Sequence, residues 1–109
     1  MARNNIQPGQ TMTFTAPYAV ASGAGFLAAS MFAVALTDAA QGASVEGRTV
    51  DVWDLPKAAV AVTPWSKAYW DDANKRVTNV AGGALIGVFT QAAASGDATG
   101  RVRLNGISI

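Results

Sequence analysis

The chain contains no cysteine and no histidine. The first absence excludes disulfide scaffolds, thiolate metal sites and cysteine nucleophiles. The second excludes imidazole ligands and any Ser-His-Asp triad. Charge is scarce as well: 14% of the 109 residues are charged and the net charge is +1, far from the basic footprint of a dedicated nucleic-acid binder. Large side chains are fewer than the 50% hydrophobic content suggests, because 23 of those residues are alanine. Such a core is small or built from closely approaching backbones, and burial shared with other subunits would relieve it.

The few charges are divided unevenly. Residues 1–56 carry Arg3 and Arg48 against Asp38, Glu46, Asp51 and Asp54, a net of −2. Residues 57–109 carry Lys57, Lys67, Lys75, Arg76, Arg101 and Arg103 against Asp71, Asp72 and Asp97, a net of +3. No charge occurs between Arg3 and Asp38, and residues 16–36 are long enough to span a bilayer. That stretch is nevertheless broken by Pro17, Ser22, Gly23, Gly25 and Ser30 and has no flanking basic cluster, so a membrane span is the weaker reading. A secretory signal is disfavoured by the polar Asn4–Gln10 segment ahead of it.

What is present is a steady rhythm of turn residues: Pro8-Gly9, Gly23 with Gly25, Gln41-Gly42, Glu46-Gly47, Gly82-Gly83, Ser95-Gly96-Asp97 and Asn105-Gly106. Between them lie short runs rich in β-branched and aromatic residues, the pattern of a small single-domain all-β barrel or sandwich with at most one or two helical turns. Thr11–Thr15 alternates strictly and predicts a half-buried strand. Met31–Thr37 is apolar on both faces and predicts a central strand with a tight neighbour on the side of Ala33 and Ala35. Thr49–Trp53 alternates and predicts another strand closed by Leu55-Pro56, while Lys57–Val62 fits either a strand or one helical turn. Lys67–Trp70 and Arg76–Thr78 flank Asp71–Lys75 as a hairpin. Ala84–Gln91 predicts a buried strand, and Gly100–Leu104 a strand with Arg101 and Arg103 outward. Residues 107–109 are expected to add a last short strand. Residues 1–10 are expected to form a mobile arm ahead of one domain over 11–109, able to span about 33 Å when extended.

Chemistry-bearing patterns are thin. Asp71, Asp72 and Asn74 have a calcium-loop composition but lack the glycine and terminal glutamate an EF-hand needs, so a capped turn is the better reading. Residues 81–87 are glycine-rich, but Gly87 precedes Val88 where a phosphate loop needs lysine and a hydroxyl residue. Nothing in the spacing pairs Asp38, Glu46, Asp51 or Asp54 for glycoside hydrolysis. Neither an enzymatic activity nor a cofactor or metal is expected. Of the aromatic residues Trp53, Trp65, Tyr69 and Trp70, Trp65 lies between Pro64 and Ser66 in an apparent loop and is the best interface anchor. Stacking on single-stranded nucleic acid is disfavoured by Asp71 and Asp72 beside Trp70. A small carbohydrate- or nucleic-acid-binding β-module and a membrane-active protein spanning at 16–36 stand as the alternatives.

Several segments, taken in order, resemble the capsid cement, or head decoration, proteins of tailed phages. They are Gln7-Pro8-Gly9 leading to Thr15-Ala16-Pro17-Tyr18-Ala19-Val20, then Phe32 to Ala40, Asp54-Leu55-Pro56-Lys57-Ala58, Lys67-Ala68-Tyr69-Trp70-Asp71, Leu85-Ile86-Gly87-Val88 and Arg101 to Gly106. The chain departs at Ser66, where relatives tend to carry glycine, and at the bulkier Val50-Asp51-Val52-Trp53. Members sometimes carry the label of a RecA-type recombinase, which the missing phosphate loop and the short length argue against here. The resemblance implies a β-rich phage or prophage protein, commonly trimeric, that binds the major capsid protein on the outside of an assembled head and clamps it. It would reside in the host cytoplasm before assembly and in the virion afterwards, with no nucleic-acid or membrane partner. The arm residues Asn4, Asn5, Ile6, Gln7, Pro8 and Gln10 are the expected capsid-binding segment, pairing with an edge strand of the shell.

Overall fold

The computed structural model describes residues 7–107 and is all-β, with no helix among the described residues. Nine strands form: β1 (Thr11–Thr15), β2 (Gly25–Ala28), β3 (Met31–Ala35), β4 (Ser44–Arg48), β5 (Val52–Pro56), β6 (Lys67–Asp71), β7 (Arg76–Thr78), β8 (Ala84–Phe89) and β9 (Thr99–Leu104). They make two curled antiparallel sheets, a four-stranded one ordered β1-β4-β3-β2 and a five-stranded one ordered β5-β9-β8-β6-β7. The edges of the second sheet meet at a single parallel bridge, Lys57 to Val77.

β3 is central, as its two-faced apolar pattern predicts. Phe32 and Val34 on one face enter a core with Leu55, Trp70, Val77, Ile86, Phe89, Val102 and Leu104 of the second sheet. Burying an aromatic of Trp70's size removes some 150–250 Å² from water, about 4–6 kcal/mol at ~25 cal/mol/Å². Ala33 and Ala35 on the other face pack with Phe26 and Val45 beneath Ala16 and Val20. The loop carrying those last two is held by backbone bonds from Ala16 N to Ala43 O and between Val20 and Ala39. The tight neighbour on the alanine side is Gly47 of β4: a Cβ there would lie 2.9 Å from both the Ala33 Cβ and the Phe14 ring. Phe14 in turn meets Phe26 edge-on, with ring centroids 5.3 Å apart.

Five expectations shift. Glu46-Gly47, read as a turn, lies inside β4, and Gly25 lies inside β2, because in both places a large ring crowds the glycine. The strand expected at Thr49–Trp53 begins only at Val52 and includes Pro56, which an edge strand tolerates. Thr49–Asp51 instead carry the chain from one sheet to the other. Asp51 takes a left-handed φ of 83° and accepts Arg48 Nε at 2.8 Å, while the buried Thr49 hydroxyl donates to the carbonyls of Gly9 and Gln10. Lys57–Val62 form neither strand nor helical turn. Lys57, only 7% exposed, folds back so that Nζ donates to the carbonyls of Ala58 and Val60. Ile107 is not in a strand: Asn105 Oδ1 accepts its N–H in a turn, and residues 108 and 109 lie outside the described residues.

Candidate functional site

Trp65 is displayed by its backbone. Thr63-Pro64-Trp65-Ser66 has the features of a type II turn: Pro64 in second position, Ser66 N donating to Thr63 O, and a positive φ of 67° at Trp65. That third position ordinarily takes glycine, since a left-handed bulky residue costs of order 1–3 kcal/mol. The turn is also tied to β8 by Trp65 N donating to Phe89 O at 2.7 Å. Trp65 is nonetheless 69% exposed, the most exposed large apolar residue among those described. The other two tryptophans are structural. Trp53 donates Nε1 to Val50 O and packs against the core. Trp70 is buried against Phe32, with ring centroids 4.8 Å apart, and is not available to stack on a base.

Of the expected arm residues, Asn4, Asn5 and Ile6 lie outside the described residues. Gln7 donates Nε2 to Thr11 O at 3.3 Å, and the exposed Pro8 and Gln10 join it, Thr11 and Arg48 around an open hollow of about 350 Å³. Gln10 O accepts Thr49 N at 2.7 Å, so the segment enters β1 from a fixed point. The arm and the Trp65 turn belong to different sheets.

A polar tie joins the loop over the first sheet to the β6–β7 turn. The Tyr18 hydroxyl donates to Asp72 Oδ1 at 2.9 Å and accepts Leu27 N at 3.1 Å, while Trp70 Nε1 donates to the same Asp72 oxygen at 3.0 Å. Lys75 Nζ lies 3.3 Å from Asp72 and 4.0 Å from the centre of the Tyr18 ring. Burial, reinforced by the Asp72 carboxylate, pushes the Tyr18 hydroxyl up to about 12. Burial pushes Asp72 the other way from where it ends: hydrogen bonds from Trp70, Tyr18 and Lys75 outweigh it and hold the carboxyl below its ordinary value. In the same turn the Asn74 side chain lowers Asp71, which accepts both Asn74 nitrogens. These acids cap a turn, and among the described residues no group of three or more acidic residues is placed to hold a metal.

Beside this tie lies a hollow of about 710 Å³, open to solvent between Ala58–Val60, Arg76 and residues 80–84. Gly83 makes its wall, where a Cβ would fall 2.1 Å from Trp70 O, which accounts for part of the glycine-rich segment without a nucleotide.

The fold is a small, compact all-β domain of two curled antiparallel sheets that leaves the Trp65 indole in solvent. The chain belongs to the phage cement protein family, whose model matches residues 6–104. No curated protein matches it. Membership makes it a bacteriophage structural protein associated with the phage capsid.

Proposed function

We propose that the protein docks as a homo-oligomer, a trimer by preference, on the outer surface of an assembled head and clamps neighbouring copies of the major capsid protein. The observation that carries this reading is the Trp65 turn, where a strained backbone holds an indole in water. Such a residue gains by being covered, and tryptophan is the side chain most enriched among interface anchors. The arm, Asn4 to Gln10, supplies a second attachment by strand addition to a capsid edge. With each trimer engaging several capsid subunits, weak single contacts sum to tight attachment without any chemistry. The protein accordingly waits in the host cytoplasm and acts in the virion.

The test is cosedimentation with heads assembled from the major capsid protein, alongside mass by light scattering. The expected result is an oligomer that sediments with expanded shells and ignores unassembled capsid protein. Removing residues 1–8, which spares the Gly9 and Gln10 carbonyls bonded by Thr49, leaves the fold intact and abolishes sedimentation. Retained binding would sink the role of the arm.

A further inference from the structure

We propose that the outward face of the second sheet is the surface that meets the shell, and that it seats on a patch of capsid rich in aspartate and glutamate. This rests on the docking function above and names the face and the partner chemistry.

The argument begins with the described cations. Arg48, Lys75, Arg76 and Arg101 each have a carboxylate within ion-pair distance, and Lys57 is buried against carbonyls. Lys67 and Arg103 remain, exposed and with no carboxylate partner among the described residues. Sheet register puts both in one row: Val52 pairs Arg103, Arg103 pairs Val88, and Val88 pairs Lys67. Directly opposed residues of an antiparallel pair share a face, so the two cations flank Val88 at a separation of about two strand spacings, ~10 Å. The alternation of β9, with Val102 and Leu104 buried and Arg101 and Arg103 exposed, confirms that this row faces water.

Apolar surface accompanies the charge. Val52 is 50% exposed and Leu85 37%, although both belong to strands. Lys67, Leu85, Val88 and Arg103 line an open hollow of about 200 Å³. The Trp65 turn adjoins this face, two residues before Lys67 and tied to Phe89 next to Val88. Apolar ground flanked by unpaired cations is the make-up of an interface whose partner brings carboxylates. The β1–β4 part of the first sheet differs, with Thr13 donating to Glu46 and Arg48 held by Asp51. Even on β9 the neighbouring Arg101 is engaged by Asp54 through two hydrogen bonds, at 3.0 and 3.2 Å, which leaves Lys67 and Arg103 as the groups free to recognise a partner.

The experiment is salt-dependent cosedimentation of the full chain with purified heads, comparing wild type with Lys67→Glu/Arg103→Glu and with the milder Lys67→Ala/Arg103→Ala. All three should show the same circular dichroism and thermal midpoint, since both side chains are exposed. Wild-type binding is expected to weaken as salt rises past physiological strength, where screening acts within ~8 Å. The reversed pair is expected to bind about tenfold more weakly or worse, with the alanine pair between. Folded variants that bind like wild type, or wild-type binding indifferent to salt, overturn this face while leaving docking intact. Wild type that does not sediment with heads at all overturns docking itself and this face with it.

Discussion

Beneath its covering loop the first sheet packs Ala33, Ala35 and Gly47 against Phe14, Phe26 and Val45, whereas the second packs Trp70, Phe89, Leu55, Ile86 and Leu104. The small-residue side gains its density from backbones brought close together, and the large-residue side from bulky groups filling a curled sheet. The first sheet is not self-sufficient: β3 sends Phe32 and Val34 into the core of the second. Ala33 and Ala35 thus serve where strands approach closely, and the large side chains where the two sheets join, while most of the other described alanines are exposed outside the strands. Close approach tolerates no added atom, and bulk tolerates no removed one.

That contrast can be broken by substitution. The largest effect is expected from Trp70→Ala, which empties the joint core and strips Asp72 of a donor. A loss of about 3–5 kcal/mol is expected, seen as a thermal midpoint lowered by tens of degrees. Gly47→Val tests the opposite failure: its first carbon alone would sit 2.9 Å from Phe14 and Ala33, so overpacking of about 1–3 kcal/mol should appear in urea melts with no change in slope. An equal loss from Gly47→Ser in a chain already carrying Phe14→Ala would show that the crowding is not what matters. Trp65→Gly should go the other way, raising the midpoint by a few degrees because glycine accepts the left-handed backbone, while weakening attachment to heads.

The smallest effect concerns pH. Tyr18 has a folded value raised to about 12 from 10.0, so the neutral hydroxyl is the form the fold favours. Its contribution is fully present below pH 10 and is lost as pH climbs toward 12. Asp72 has the opposite sign: its lowered value contributes above the ordinary carboxylate range and fades as pH falls below it. Tyr18→Phe should therefore flatten part of the alkaline decline in a melt series from pH 9 to 12, and leave the acid side to Asp72. An unchanged alkaline limb would show that the tie between loop and turn does not couple to folding.

Strands with clean alternation were legible from the sequence: Thr11–Thr15 matches β1 residue for residue, and the outward Arg101 and Arg103 lie on β9 as their spacing requires. The β6–β7 hairpin was legible through Asp71 and Asn74, whose capping is local. β2 and β4 were not, because Gly25 answers to Phe32 across the hairpin and to Trp70, and Gly47 to Phe14 and Ala33, whereas local chemistry reads glycine as a turn. The position of Asp51 was hidden for the same reason, since its left-handed backbone is set by the passage between sheets and by Arg48. Trp65 stood out as an exposed aromatic from its neighbours Pro64 and Ser66, but its positive φ did not. That Lys67 and Arg103 lie in one row carried no signal, because the row exists only through Val88 between them.

The way the chain enters β1 also decides how the molecule bears load. β1 is an edge strand held along all five residues to β4, and Thr49 grips the segment just before it through the carbonyls of Gly9 and Gln10. Its ladder bonds run perpendicular to the strand. A pull along the strand axis is therefore shared by the whole ladder at once, as in a lap joint under shear. A pull across it would peel the bonds one after another, so a tether leaving in line with β1 exploits the strong direction of an otherwise vulnerable sheet edge.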